Sequence, residues 1–138
     1  SHISPKMIDD ILELSTRPLI VSHTGVKGTK NSPRNLSDHH IIRIAEKGGL
    51  IGIGFFKGAV NGEIIDIVAA IKYVRDLVGI EHVALGSDFD GAATTPIDIT
   101  GLPYIVQGLM DADFPKQEIE AVMGENVKQF LLTNLPKE

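Results

Sequence analysis

The 138-residue sequence contains no cysteine, so it can form neither a disulfide framework nor a thiolate metal site, and any metal must be held by histidine and carboxylate. No apolar run approaches the roughly 18 residues needed to cross a bilayer. A basic stripe is also lacking. With 13 Lys and Arg against 18 Asp and Glu, the formal charge is −5, which argues against a nucleic-acid partner and for a small molecule or peptide. No basic segment followed by an apolar one opens the chain, so no signal peptide is expected; the reading leans to the cytoplasm and leaves the compartment open. There is no repeat, low-complexity tract or linker. The remaining composition, 43% hydrophobic and 22% charged, suits one globular domain without an internal boundary, or one piece of a larger domain.

The apolar spacing predicts alternating elements. Ser4-Pro5 starts a helix carrying Met7, Ile8, Ile11, Leu12 and Leu14, and a short buried strand follows over residues 19–23. Ser37 caps a second helix that stops at Gly48-Gly49, ahead of a strand over 50–56. Residues 63–78 form the longest helix, 83–88 the third strand, and two helices parted near Phe114-Pro115 complete the chain before Pro136. Alternation of this kind gives right-handed crossovers and a parallel sheet. A fourth strand is expected to end at Ser1-His2. Such a sheet has open edges, so another chain, in a homo-oligomer, or a preceding half should close it.

His23 ends the first strand, at the rim where parallel α/β sheets carry their ligands and catalytic groups. His2 precedes it by enough chain for one helix and one return strand. Both imidazoles can therefore stand on neighbouring strands about 4.8 Å apart and reach one zinc at about 2.0–2.1 Å. Taken singly, His23 also reads as a polar residue of the loop mouth and His2 as an exposed terminal residue. Ser87-Asp88-Phe89-Asp90-Gly91 closes the third strand at the same rim. Asp88 there can exchange a proton with an activated water, while Asp90-Gly91 reads as a turn. Arg34, in the loop after His23, can hold a substrate carboxylate in a bidentate pair or be a surface arginine. Lys27 and Lys30 read as solvated, His82 as structural, and His39 and His40 as surface or partly packed, because adjacent helical positions do not face one ligand. Gly52, Gly54, Gly58 and Gly62 match no phosphate-binding pattern and read as points of close approach.

Ser1-His2, Ile20-Val21-Ser22-His23-Thr24, Pro33-Arg34-Asn35 and Leu85-Gly86-Ser87-Asp88-Phe89-Asp90-Gly91, in this order and with this spacing, resemble the carboxyl-terminal half of the membrane (renal) dipeptidase family, the M19 metallopeptidases. The resemblance runs over essentially the whole chain and includes Gly101-Leu102 and Gly124-Glu125-Asn126. It implies the carboxyl-terminal half of a (β/α)8 barrel of the amidohydrolase type, holding two zinc ions per complete site and hydrolysing dipeptides. By position it makes His2 and His23 ligands of one zinc, Arg34 the partner of the substrate carboxylate, and Asp88 the acid at substrate and reaction centre. The family's His-x-Asp pair, bridging glutamate and further substrate-binding histidine have no counterpart here, so two histidines leave a zinc site short of its usual three protein ligands. The expected function is thus zinc-dependent dipeptide hydrolysis with this chain supplying part of the site. The alternatives are a non-catalytic half-barrel or assembly subunit, and ester or lactam cleavage on the same metal centre.

Overall fold

The computed structural model describes residues 1–90 and 92–136. Helix α1 (Pro5–Leu14) starts where Ser4 Oγ accepts from the Met7 N–H at 3.2 Å, with Pro5 in its first turn. It leads into β1 (Ile20–Thr24), α2 (Asp38–Glu46), β2 (Leu50–Ile53), α3 (Ile64–Val78) and β3 (Val83–Leu85). The three strands form one parallel sheet in the order β1-β2-β3. Helix α4 (Leu102–Asp111) follows, and Pro115 precedes α5 (Lys116–Glu120), which passes through a kink at Gly124 into α6 (Asn126–Asn134). Asn126 Nδ2 donates to the carbonyls of Ile80 and Val83, at 2.7 and 2.8 Å, and so ties the last helix to the start of β3.

Burial follows strand position. All four residues of the central strand, Leu50-Ile51-Gly52-Ile53, are buried, as a strand covered on both faces requires. The edge strand β1, although equally apolar at its start, leaves Ile20 44% exposed. Among the described residues no further strand pairs with β1 or β3, so both edges are open. No described helix is long and apolar enough to cross a membrane.

Ser1 and His2, where a fourth strand is expected to end, are not themselves in a strand. His2 has φ of 61°, a left-handed backbone that cannot continue a ladder, and Ser1 meets β1 by its side chain instead. Its Oγ accepts from the His23 N–H at 3.1 Å and donates to the His23 carbonyl. The second and third strands are shorter than their apolar runs. Pairing continues past them singly, with Gly54 N–H on the Thr24 carbonyl at 2.7 Å and Gly86 N–H on the Ile53 carbonyl at 2.9 Å.

One irregularity shapes the rim. Ile20, Val21 and Thr24 pair with Leu50, Ile51 and Ile53, so Ser22 and His23 together oppose the single residue Gly52. This bulge tilts the Ser22 carbonyl across the sheet. A Cβ on Gly52 would lie 2.4 Å from that oxygen, and one on Gly86 would lie 2.1 Å from it. The close approach expected at Gly52 is therefore present, and Gly86 shares it. Gly52→Ala should displace the bulge and destabilise the fold by about 1–3 kcal/mol, as overpacking does. Urea denaturation checks this, and an unchanged midpoint would contradict the close approach.

Candidate functional site

Four segments bring four side chains to the carboxyl-terminal rim of the sheet. His23 comes from the β1 bulge, His2 from the residues before α1, Arg34 from the β1–α2 loop, and Asp88 from the turn after β3. The Nε2 atoms of His2 and His23 are 2.9 Å apart. Arg34 donates from one terminal nitrogen to His2 Nδ1 at 2.8 Å, while its guanidinium carbon lies 4.7 Å from the centre of the Phe56 ring. Asp88 Oδ1 is 3.8 Å from His23 Nε2. Asp88 has φ of 63°, so the chain turns sharply there in a conformation that aspartate tolerates better than most residues.

The shorter contacts assign the tautomers. Arg34 can only donate, and it meets His2 Nδ1 at 2.8 Å against 3.4 Å for Nε2, so Nδ1 carries a lone pair and His2 Nε2–H donates to His23 Nε2. His23 Nδ1–H then donates to Ser22 Oγ at 3.1 Å. Burial pushes the His23 pKa down; Asp88 pulls it up, and the neighbouring His2 and the Arg34 guanidinium push it down further. Neutral imidazole, the form a metal requires, is thereby favoured.

The donor set suits zinc in kind, since two imidazole nitrogens converge with a carboxylate beside them. Two features limit the fit. Among the described residues, His2, His23 and Asp88 do not form a group with ligand atoms all within 4.8 Å of one another. Ligation through His2 Nε2 would also move its proton to Nδ1, which could then no longer accept from Arg34. Binding of a metal by His2 and the bond from Arg34 to His2 exclude each other.

Other expectations need revision. Lys30 is not solvated: its Nζ donates to the carbonyls of Val60, at 2.7 Å, and Lys57, clamping the loop before Arg34. Asn35 Nδ2 does the same with Lys30 and Ala59, at 2.9 and 2.8 Å. His82 is structural as expected, with Nδ1–H donating to the Gly49 carbonyl at 2.9 Å. Asp90 Oδ1 accepts from Ala92 N–H at 3.3 Å, as in a turn, whereas Gly91 lies outside the described residues. His39 is exposed, but His40 is buried, and both direct Nε2 toward Asp9 of α1. Adjacent helical positions do face one group here, because the third member comes from another helix. Phe56 also belongs to the site, although its sequence context marks it only as strand: it stacks on Arg34 and meets the His23 ring edge-on at 6.2 Å.

The profile of the membrane dipeptidase family, peptidase family M19, matches residues 1–133. The chain belongs to this family. Dipeptidase ataJ of Aspergillus terreus is 31% identical over 91% of the chain, and dipeptidase tcpJ of Claviceps purpurea is 30% identical over 95%. The chain spans 33% of the length of each of these relatives. It is also similar to a crystal structure of a metallopeptidase from Rhodobacter sphaeroides liganded with a phosphinate mimic of the dipeptide L-Ala-D-Ala. The TM-score is 0.89 at 29% identity, covering 98% of this chain and 41% of that one. The crystal structure of dipeptidase AC, a metallopeptidase of family M19, is similar as well, with a TM-score of 0.87 at 29% identity over 95% of this chain and 42% of that one, so the parallel α/β arrangement is that of M19 enzymes.

The rim carries a titration that can be checked directly. The His23 midpoint, followed by imidazole NMR, should lie below that of a free histidine. It should rise in Arg34→Ala, which removes a positive neighbour, and fall further in Asp88→Asn, which removes the negative one. Between the lowered midpoint and the ordinary one the unfolded chain binds more proton, so this group's contribution to stability falls as the pH falls through that window. A fall in Arg34→Ala or a rise in Asp88→Asn would contradict the arrangement.

Proposed function

We propose that this chain supplies part of a metallodipeptidase active site, on the carboxyl-terminal half of a (β/α)8 barrel of the amidohydrolase type. The observation that carries this reading is the convergence of His2, His23, Arg34 and Asp88 from four separate segments, at the rim where barrel enzymes hold their chemistry. The family's relatives named as dipeptidases, and the neighbour holding a dipeptide mimic, support the reaction class.

His2 and His23 would hold one zinc of a two-zinc site through Nε2. Bound zinc supplies Lewis acidity toward the peptide carbonyl and the attacking water. Arg34 binds the free carboxylate of a dipeptide. Its side chain meets an imidazole and a phenyl ring rather than a carboxylate, and its Nε–H is buried without a partner, so donors remain for a planar anion. Release of His2 Nδ1 would free the guanidinium for that role. Asp88 takes a proton from the attacking water and returns it to the departing amine, which leaves as a neutral group.

An apolar cavity of about 260 Å³ lies beside the site, against β1, lined by Ile8, Ile11, Leu19 and Val21 and reaching His2 and Arg34. It contains neither His23 nor Asp88. Its wall is the open edge of β1, so we assign it to the side chains of a neighbouring barrel strand rather than to substrate. That strand, from the remainder of the barrel or from another chain, would also bring the missing metal ligands.

Arg34→Ala in the complete enzyme should raise KM for dipeptides with a free carboxyl terminus while metal content stays constant. Loss of a charge-assisted pair corresponds to about 1.5–3 kcal/mol. Equal loss on a carboxamide-capped substrate would reject the role. The 138-residue chain by itself should be inactive and should associate, since both sheet edges are open and the unpaired β1 exposes Ile20. Size-exclusion chromatography with a dipeptide assay tests both parts, and a monomer that turns over dipeptides would refute the divided site.

A further inference from the structure

Outside the rim, α1 and α2 bring together a second set of ligand atoms. Asp9 Oδ1 lies 3.3 Å from His40 Nε2 and 3.7 Å from His39 Nε2, and the ligand atoms of the three residues are all within 4.8 Å of one another. Ligands on a tetrahedral zinc with bonds of about 2.0–2.1 Å stand about 3.4 Å apart, so these separations already approach those of a metal-bound set.

The independent observation is the state of His40. Its side chain is only 8% exposed, yet its Nε2 is buried without a hydrogen-bond partner. The other ring nitrogen is occupied, because His40 Nδ1 is 3.0 Å from Ser37 Oγ, the helix-capping hydroxyl that also accepts from the His40 N–H at 3.4 Å. When Nδ1–H donates to Ser37, Nε2 presents a lone pair toward a carboxylate oxygen. Two acceptors facing each other in a mostly buried position repel unless a cation stands between them. In that tautomer Ser37 orients the ring and leaves Nε2 free for a metal, as outer partners of metal-bound histidines do.

We propose that Asp9, His39 and His40 form a peripheral site for a zinc-class divalent cation, held by two imidazoles and one carboxylate with an open position for water. The half-exposed Asp9 and exposed His39 give the ion access, while His40 provides the buried anchor. Arg43 limits the affinity: its guanidinium pairs with the same Asp9 oxygen and must yield it to the metal. The site uses none of the residues at the rim and is independent of the dipeptidase reading.

Zinc sulfate titration by calorimetry, on chelator-treated protein carrying His23→Ala to disable the rim, tests the assignment. That background should retain one zinc equivalent. Adding His39→Ala or Asp9→Asn should weaken it by about tenfold or more, since loss of even an outer partner weakens metal sites by about 10–100-fold. Adding Arg43→Gln should tighten it, a gain that a purely structural ion-pair network would not produce. His39 is exposed, so its variant should keep the fold, which circular dichroism verifies. No zinc binding in the His23→Ala background, or unchanged binding in both ligand variants, would overturn the site.

Discussion

The rim of this protein depends on the carbonyl of Ser22 occupying space where side chains on Gly52 and Gly86 would otherwise stand. Because both positions lack a Cβ, the end of β1 can bulge and lean across β2 toward β3. The same bulge sets two residues, Ser22 and His23, opposite Gly52. His23 consequently meets Asp88, which reaches it from beyond β3 at the other edge of the sheet, as well as His2 from the residues before α1. Larger residues at the two glycines would hold the strand ends apart and separate the side chains that the proposed chemistry needs together.

Around that point the site is held by backbone clamps more than by its own charges. Lys30 and Asn35 bind carbonyls of the 57–60 segment, fixing the loop that presents Arg34, and Phe56 from the same region carries the guanidinium on its face. The imidazoles are linked in a chain of donors running from Arg34 through His2 and His23 to Ser22. Such a chain has a direction, and reversing the tautomer of His2 breaks its first link. The same nitrogen arrangement therefore couples metal binding by His2 to release of the arginine assigned to the substrate carboxylate. In the proposed enzyme the remaining ligands would come from outside the described residues, beyond the open sheet edges.

Much of the architecture was legible because local rules and tertiary packing agree. Ser4 and Ser37 cap the helices their positions suggest, Gly79 ends α3, and the apolar runs around Ile20, Ile51 and Ala84 become the three parallel strands. Ordered motifs identified the family, and the four candidate residues do meet. Strand ends were less legible: apolar character continues to Phe56 and Asp88, but pairing stops where the backbone leaves the ladder. The positive φ of His2, which turns the chain out of an extended path, is likewise announced by no side-chain pattern.

The sequence by itself determined the order of elements, the exclusion of thiolate chemistry and the identity of the rim residues, since each follows from spacing, composition or motif. Only the tertiary structure decided that His39 and His40 share a partner, that Lys30 is a clamp, and that Gly86 lies under a carbonyl of the opposite edge strand. Those facts join residues far apart along the chain. Their distances depend on how helices pack and how a three-stranded sheet curls, and neither periodicity nor local propensity carries that information.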